Sequence, residues 1–231
     1  MIGVHLDRRS AAAQLVELDA DIAGLGRSFL RFNINAADDT RRAEVLASLS
    51  ERLPAGSISV VLHSLAFGSL VPLVAPKGKP AVTRAQLDMT LDVMANRLIY
   101  WVQDLLRAGF LAEGGRVFAM TSSGSHMVWE RYGPVSGAKA LLEAHIRQLA
   151  VELAPWRITA NAVLAGVCRT PALERIPGAD RLIQKAEARN PYGRLTRPED
   201  VAACLVELSR PGTYWLNGNV LHIDGGEDVS G

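Results

Sequence analysis

Short β-branched apolar runs alternate along this chain with amphipathic stretches long enough to be helices. A parallel βαβ arrangement is the architecture that absorbs such an alternation. The runs Ile2 to Leu6, Phe29 to Ile34, Ile58 to Leu62, Val117 to Met120, Ile158 to Leu164 and Val220 to Ile223 read as strands. Between them, Ala11 to Gly24 carries helical spacing and stops at Gly24-Leu25-Gly26, and Asp38-Asp39-Thr40 offers N-cap chemistry for a helix through Leu53. Thr83 and Gln86 form the ends of a capping box. It opens a long helix whose apolar positions Leu87, Leu91, Met94, Leu98, Trp101 and Leu105 face the core or another subunit. Gly114-Gly115 reads as a turn, and residues 165–197 as an irregular substrate lid. A central helix has the stripe Val135, Ala138, Leu142, Ile146, Leu149 and Leu153, and Arg197-Pro198-Glu199-Asp200 starts another. The prediction is one α/β domain over 1–231 with a doubly wound, three-layer αβα parallel sheet.

Charge and cysteine content narrow the function. Lys+Arg 25 against Asp+Glu 24 leaves no excess that would favour nucleic acid or an anionic membrane. Cys168 and Cys204 cannot make a disulfide framework and fit a reducing compartment. No apolar run reaches the roughly 18 residues of a membrane span, and MIGVHLDRRS lacks the apolar core of a signal peptide. A cytoplasmic protein is expected. His63, His126 and His145 show no metal-ligand spacing, so no metal is expected.

The stretch Ser122 to Glu152 holds the chemistry. Tyr132 and Lys139 lie close to two helical turns apart at the start of the central helix, so both can share one face. An ammonium beside a phenol lowers the phenol's pKa and makes it a proton donor. A helix-entry tyrosine packed on the core, with a solvated lysine, satisfies the same spacing. In a doubly wound sheet ligands sit outside the carboxyl ends of the strands. Asp7 to Arg9, Asn35, His63-Ser64, Ser122 and Gly166 to Thr170 all fall there.

Together these residues resemble the short-chain dehydrogenase/reductase family. Ser122 precedes Lys139 at the family's spacing, but the usual tyrosine position holds Val135. Tyr132 lies one turn earlier, as in the divergent branch, the bacterial enoyl-acyl-carrier-protein reductases. VLHSLAFGSLVP resembles that branch's His-Ser-x-x-Phe turn. Asp92 stands at the place of a catalytic asparagine, and NAVLAGVCRTPAL matches the segment that holds nicotinamide and pyrophosphate. Two departures stand out. Ser122 occupies a place where many divergent members carry a second tyrosine, and no Gly-rich strand–turn–helix precedes Ile2. The expectation is therefore a Rossmann-like domain whose first βα unit is missing, through truncation or a late start. Losing that central strand leaves its neighbours without a partner.

The resemblance implies reduction of a 2-enoyl thioester in fatty-acid biosynthesis, with acyl carrier protein as a candidate carrier. Tyr132 would protonate the enolate oxygen, Lys139 would hold the nicotinamide ribose, and Ser122 would add a polar contact. NADP(H) is the expected cofactor because Arg8 aligns with the phosphate-reading position, with NAD(H) as the alternative. Asn35 would contact adenine, Ser64 and Ala66 would flank the cofactor, and the Cys168 backbone and Thr170 would meet the carboxamide and pyrophosphate. A homodimer or homotetramer is expected. The alternatives are a 3-oxoacyl or carbonyl reductase and, from another class, an inactive fragment or non-catalytic dimerisation partner.

Overall fold

The computed structural model describes residues 1–7, 11–174 and 178–230. They form two compact units, Met1–Pro54 and Ala55–Gly231.

The first unit is two strands and two helices. β1 (Ile2–His5) pairs in parallel with β2 (Leu30–Asn33), Ile2 opposite Leu30 and His5 opposite Asn33. The turn after β1 is pinned by Asn33, whose Oδ1 accepts from the Asp7 amide at 2.9 Å and whose Nδ2 donates to the Asp7 carbonyl at 3.2 Å. α1 (Ala12–Gly24) connects the strands and ends where Gly26 turns the chain at φ +67°. α2 (Asp39–Ser50) starts at Asp38, whose carboxylate accepts from the Arg41 amide at 3.0 Å, and it buries Val45 and Leu49. A cavity of about 520 Å³ between α1 and the strand pair is lined by His5, Leu15, Asp19, Arg27 and Phe29, among others.

The second unit carries a four-stranded parallel sheet, β3 (Ile58–His63), β4 (Leu111–Thr121), β5 (Thr159–Ala165) and β6 (Val220–Ile223), in that spatial order. Its helices are α3 (Arg84–Leu91), α4 (Arg97–Arg107), α5 (Gly133–Glu152), the single turn α6 (Pro171–Glu174), α7 (Ala179–Arg189) and α8 (Pro198–Leu208). Strand alternation builds the layers. Val117 and Ala119 of β4 and Ala160 and Ala162 of β5 face Leu98 and Val102 of α4 and Leu142 and Ile146 of α5. Phe118 and Val163, one residue out of phase, face Val201 and Leu205 of α8. Two apolar faces require helices on both sides, which gives the αβα sandwich of this unit. Among the described residues the strands thus fall into two ladders, β1-β2 and β3-β4-β5-β6.

Two expectations need correction. The helix begun by the Thr83–Gln86 capping box is not continuous, because a π-helical turn over Asp92–Asn96 separates α3 from α4. Of the two places expected for its apolar seam, Met94, Leu98 and Leu105 take the core, buried within the second unit. Gly114-Gly115 does not end an element either. β4 runs through it with a bulge, the four residues between Leu111 and Arg116 opposing the single residue between Ile58 and Val60, and Gly114 takes φ +74° there. Arg116, buried on that bulge, donates to the Gly114 and Gly115 carbonyls and to the Arg210 carbonyl after α8, which fastens the extra loop. No helix among the described residues is long and apolar enough to cross a membrane.

Leu142 is fully buried between α5 and the sheet, whereas Val151 on the same helix is 71% exposed. Leu142→Ala is expected to cost about 2–5 kcal/mol of unfolding free energy in urea melts, and Val151→Ala less than about 0.5 kcal/mol.

Candidate active site

Lys139 is the centre of the site. It lies on the core-facing side of α5, and its ammonium is buried. Nζ donates to the Met120 carbonyl near the end of β4 at 2.7 Å. Burial lowers the Lys139 pKa to about 8, with the Glu143 carboxylate one turn along opposing the shift. Glu143 is itself held by the Thr121 hydroxyl, which donates to Oε1 at 2.6 Å. The lysine and its counter-charge are therefore both tied to the carboxyl end of β4.

Tyr132 is the N-cap residue of α5, one position outside the first helical turn, and its carbonyl accepts the Ser136 amide at 2.8 Å. Gly133-Pro134 follows it, a suitable helix opening since proline has no amide to leave unpaired. Arg131 just before it takes φ +63°, a conformation that costs a non-glycine residue of order 1–2 kcal/mol. The phenol ring lies close against Gly124. A Cβ there would sit 2.4 Å from the ring's Cε1 and 3.2 Å from Ser122 Oγ. The glycine thus brings the ring and the Ser122 hydroxyl to one place. Ser122 Oγ is buried with no protein partner of good hydrogen-bond geometry. It still lies close enough to Tyr132 to draw the phenol's pKa down, against the larger effect of burial, which raises it. The expected depression of the tyrosine pKa by Lys139 is thus reversed. Desolvation dominates, and the lysine's hydrogen bond goes to Met120. A phenol that stays protonated at neutral pH remains a proton donor.

The structure brings Tyr132, Lys139 and Ser122 together where β4 ends and α5 begins. His63 joins them from the end of β3. Its Nε2 bonds the Met94 carbonyl at 3.1 Å, an oxygen in the π-helical turn. Burial, opposed by the Met94 hydrogen bond and helped by the Lys139 charge, lowers the His63 pKa to about 4. Asp92 opens that turn and is held by Arg97 through Nε at 2.9 Å and Nη2 at 2.7 Å. Asn96 closes it and meets His145 of α5 at 3.0 Å.

The other predicted residues sit apart. Ser64 and Ala66 are exposed on the loop after β3. Cys168 and Thr170 follow β5, the thiol donating to the Gly166 carbonyl at 3.4 Å and the Thr170 hydroxyl capping α6 through the Leu173 amide at 3.2 Å. Burial raises the Cys168 pKa, and Glu227, Asp200 and Glu199 add to the shift, so this thiol is no ready nucleophile. Asn35 belongs to the first unit and accepts the Ala37 amide at 3.0 Å. Arg8 lies outside the described residues. Sequence reasoning missed Glu143, the Met120 carbonyl and Glu227. Glu143 was open to discovery, since it stands four residues after Lys139 on the same helical face.

His63 gives this cluster a stability signature. The folded state refuses a proton that an unfolded histidine accepts near 6.5, so its contribution is complete above that pH and is lost as pH falls toward about 4. The full shift corresponds to roughly 3 kcal/mol. Replacing His63 by Gln keeps a donor for Met94 and removes the titration. The wild-type advantage over His63→Gln in urea melts should shrink between about pH 7 and about pH 5, and a pH-independent difference would refute the assignment.

Known proteins resemble this chain along most of its length. Residues 4–227 match the family model described as enoyl-(acyl carrier protein) reductase. The NADH-named enoyl-[acyl-carrier-protein] reductase of Aquifex aeolicus is 30% identical over 183 residues, 76% of this chain and 64% of that protein. The NADPH-named enzyme of Staphylococcus aureus strain MRSA252 is 28% identical over 172 residues, 74% of this chain and 65% of that protein. The chain thus spans slightly under two thirds of the length of these relatives. Among solved structures, the Bacillus cereus enoyl-acyl carrier protein reductase with NADP+ and indole naphthyridinone superposes with a TM-score of 0.84 at 23% identity, covering 100% of this chain and 85% of that one. The Aquifex aeolicus structure gives a TM-score of 0.82 at 24% identity, over 98% and 85% of the two chains. These likenesses establish a Rossmann-like α/β fold, and the match over 4–227 places the chain in the enoyl-(acyl carrier protein) reductase family of the short-chain dehydrogenase/reductases.

Proposed function

We propose that this chain reduces 2-enoyl thioesters with a nicotinamide dinucleotide. The observation that carries the reading is the buried Tyr132 phenol set close to the unpartnered Ser122 hydroxyl, at the start of the helix that carries the buried Lys139. The orphaned hydroxyl fits a site that gains a polar partner only when substrate or cofactor is present. The dinucleotide, when bound, supplies hydride to the β-carbon of the enoyl group. Negative charge then develops on the thioester oxygen, and Tyr132 is the donor placed to meet it. Burial keeps its proton in place until that charge appears. Lys139 holds the ribose next to the nicotinamide with a proton that Met120 does not take, since an ammonium has three. Ser122 takes a second hydrogen bond to the thioester oxygen or the phenol. The backbone of Cys168 and the side chain of Thr170 serve the carboxamide and pyrophosphate.

NADPH is the preferred reductant in this proposal, on Asp7-Arg8-Arg9 alone, since an arginine suits a 2′-phosphate. The names of the relatives divide between NADH and NADPH. Acyl carrier protein is the proposed carrier, and the proposed assembly is a homodimer or homotetramer, to be checked by light scattering. Ser122 also suits protonation of a ketone-derived alkoxide, so a 3-oxoacyl reductase is the second reading.

Two measurements decide. Fluorescence titration with NADPH and NADH should show binding, with NADPH tighter. The chain should then oxidise NADPH with a crotonyl thioester faster than with an acetoacetyl thioester, and the reverse order supports the second reading. Tyr132→Phe should lower kcat by about 10²–10⁴-fold while leaving dinucleotide Kd nearly unchanged. Lys139→Ala should weaken dinucleotide binding as well. Absence of binding to either dinucleotide would sink the enzyme and favour the inactive-fragment alternative.

A further inference from the structure

The segment after β6 makes an unusual attachment to the loop after β5. Asp224 is buried and organises the turn, its Oδ1 accepting the Gly226 amide at 3.0 Å and its Oδ2 the Asp228 amide at 2.8 Å. Gly225 and Gly226 take φ +64° and +84°, which sends the chain back toward the carboxyl ends of the strands. Glu227 is thereby turned inward and is only 7% exposed. Its Oε2 accepts the Val167 amide at 3.1 Å. Gly166 makes the approach possible, since a Cβ there would lie 2.8 Å from that oxygen and 2.3 Å from Thr196 Oγ1. One residue later comes Cys168, whose thiol the same carboxylate pushes to higher pKa, an effect that requires the two to be close. Burial raises the Glu227 pKa, and the Val167 amide pulls it back. A buried carboxylate of this kind persists only where a specific hydrogen bond rewards it.

We propose that Glu227 is a positioning residue for the nicotinamide end of the cofactor site, its carboxylate holding the Val167 amide so that the Cys168 backbone is presented to the carboxamide. This rests on the dinucleotide-binding reading above. Glu227 does not touch the reacting atoms; it acts through the peptide between Gly166 and Val167, which leads directly into Cys168. Two further ties keep the segment in place. Asp228 accepts from His126 at 3.0 Å, and Arg189 donates to the Ser230 carbonyl at 2.9 and 3.1 Å. The carboxylate thus pushes against an anchored chain.

The test compares the full chain with Glu227→Ala and Glu227→Gln, the second keeping an acceptor for the Val167 amide. Amide exchange in the ligand-free proteins reads the tether. The Val167 amide should exchange at least about tenfold faster in the alanine variant and recover in the glutamine variant. Unchanged protection in Glu227→Ala overturns the proposal whatever the protein binds. Calorimetric titration reads the cofactor role. Glu227→Ala should weaken NADPH by about tenfold, roughly one hydrogen bond, and leave 2′-phospho-ADP-ribose, which ends before the nicotinamide, within about twofold. An equal loss for both ligands would make Glu227 a general structural residue and overturn the proposal. A wild-type chain that binds neither ligand sinks the dinucleotide reading itself and the positioning role with it, a result recognisable because the unmutated protein already fails.

Discussion

An ammonium buried under a helix is costly unless something in the protein takes its hydrogen bonds, and that constraint orders the second unit. Lys139 meets it with the Met120 carbonyl, and the Glu143 carboxylate supplies the counter-charge from the next turn. Because Thr121 in turn holds Glu143, α5 is locked in rotation against the end of β4 by two separate bonds. The apolar stripe from Val135 to Leu149 is buried along the same face. Rotating α5 to bring Lys139 to water would lift that stripe off the sheet. The core and the site are therefore one packing problem.

The strain at the helix entry follows from that lock. With α5 fixed, the chain arriving from Ser122 must deliver Tyr132 at the N-cap, and it does so by placing Arg131 in the left-handed region. Gly124 provides the opposing surface, with no Cβ to keep the phenol ring away. A penalty of about 1–2 kcal/mol at Arg131 is modest against the many buried contacts of α5. It is spent at the residue that sets where the phenol begins. The ring is thus positioned by a rigid helix on one side and a glycine wall on the other.

Much of this was legible in the residues. The Thr83–Gln86 capping box, the Asp38 N-cap and the α5 stripe stand where their local chemistry places them, because capping and amphipathic periodicity are short-range properties. Lys139, Tyr132 and Ser122 were found by spacing and resemblance. What escaped depends on contacts between distant segments. The π-helical turn at Asp92–Asn96 inserts a residue without disturbing the apolar periodicity enough to be noticed, and it frees the Met94 carbonyl for His63, 31 residues away in sequence. Gly114-Gly115 reads as a turn from composition, yet the bulge it makes is held by Arg116 reaching to Arg210. The sign of the Tyr132 shift depends on burial, which spacing does not report. Glu227 reaches Val167 across 60 residues through a turn made by two glycines, and nothing in an Asp-Gly-Gly-Glu string says which way the glutamate points.

Charge at the site rests on Lys139, because His63 is held neutral. His63 and Lys139 both lose proton affinity on burial, but unequally, to about 4 and about 8. At neutral pH the histidine is uncharged and the lysine is mostly charged, and the lysine's field is one cause of the histidine's neutrality. Two adjacent cations would repel and would draw the tyrosine toward phenolate before any substrate charge had formed. At Tyr132 burial outweighs the Ser122 hydrogen bond, and the phenol keeps its proton. In the proposed reaction such a phenol would give up its proton only when an oxyanion develops beside it.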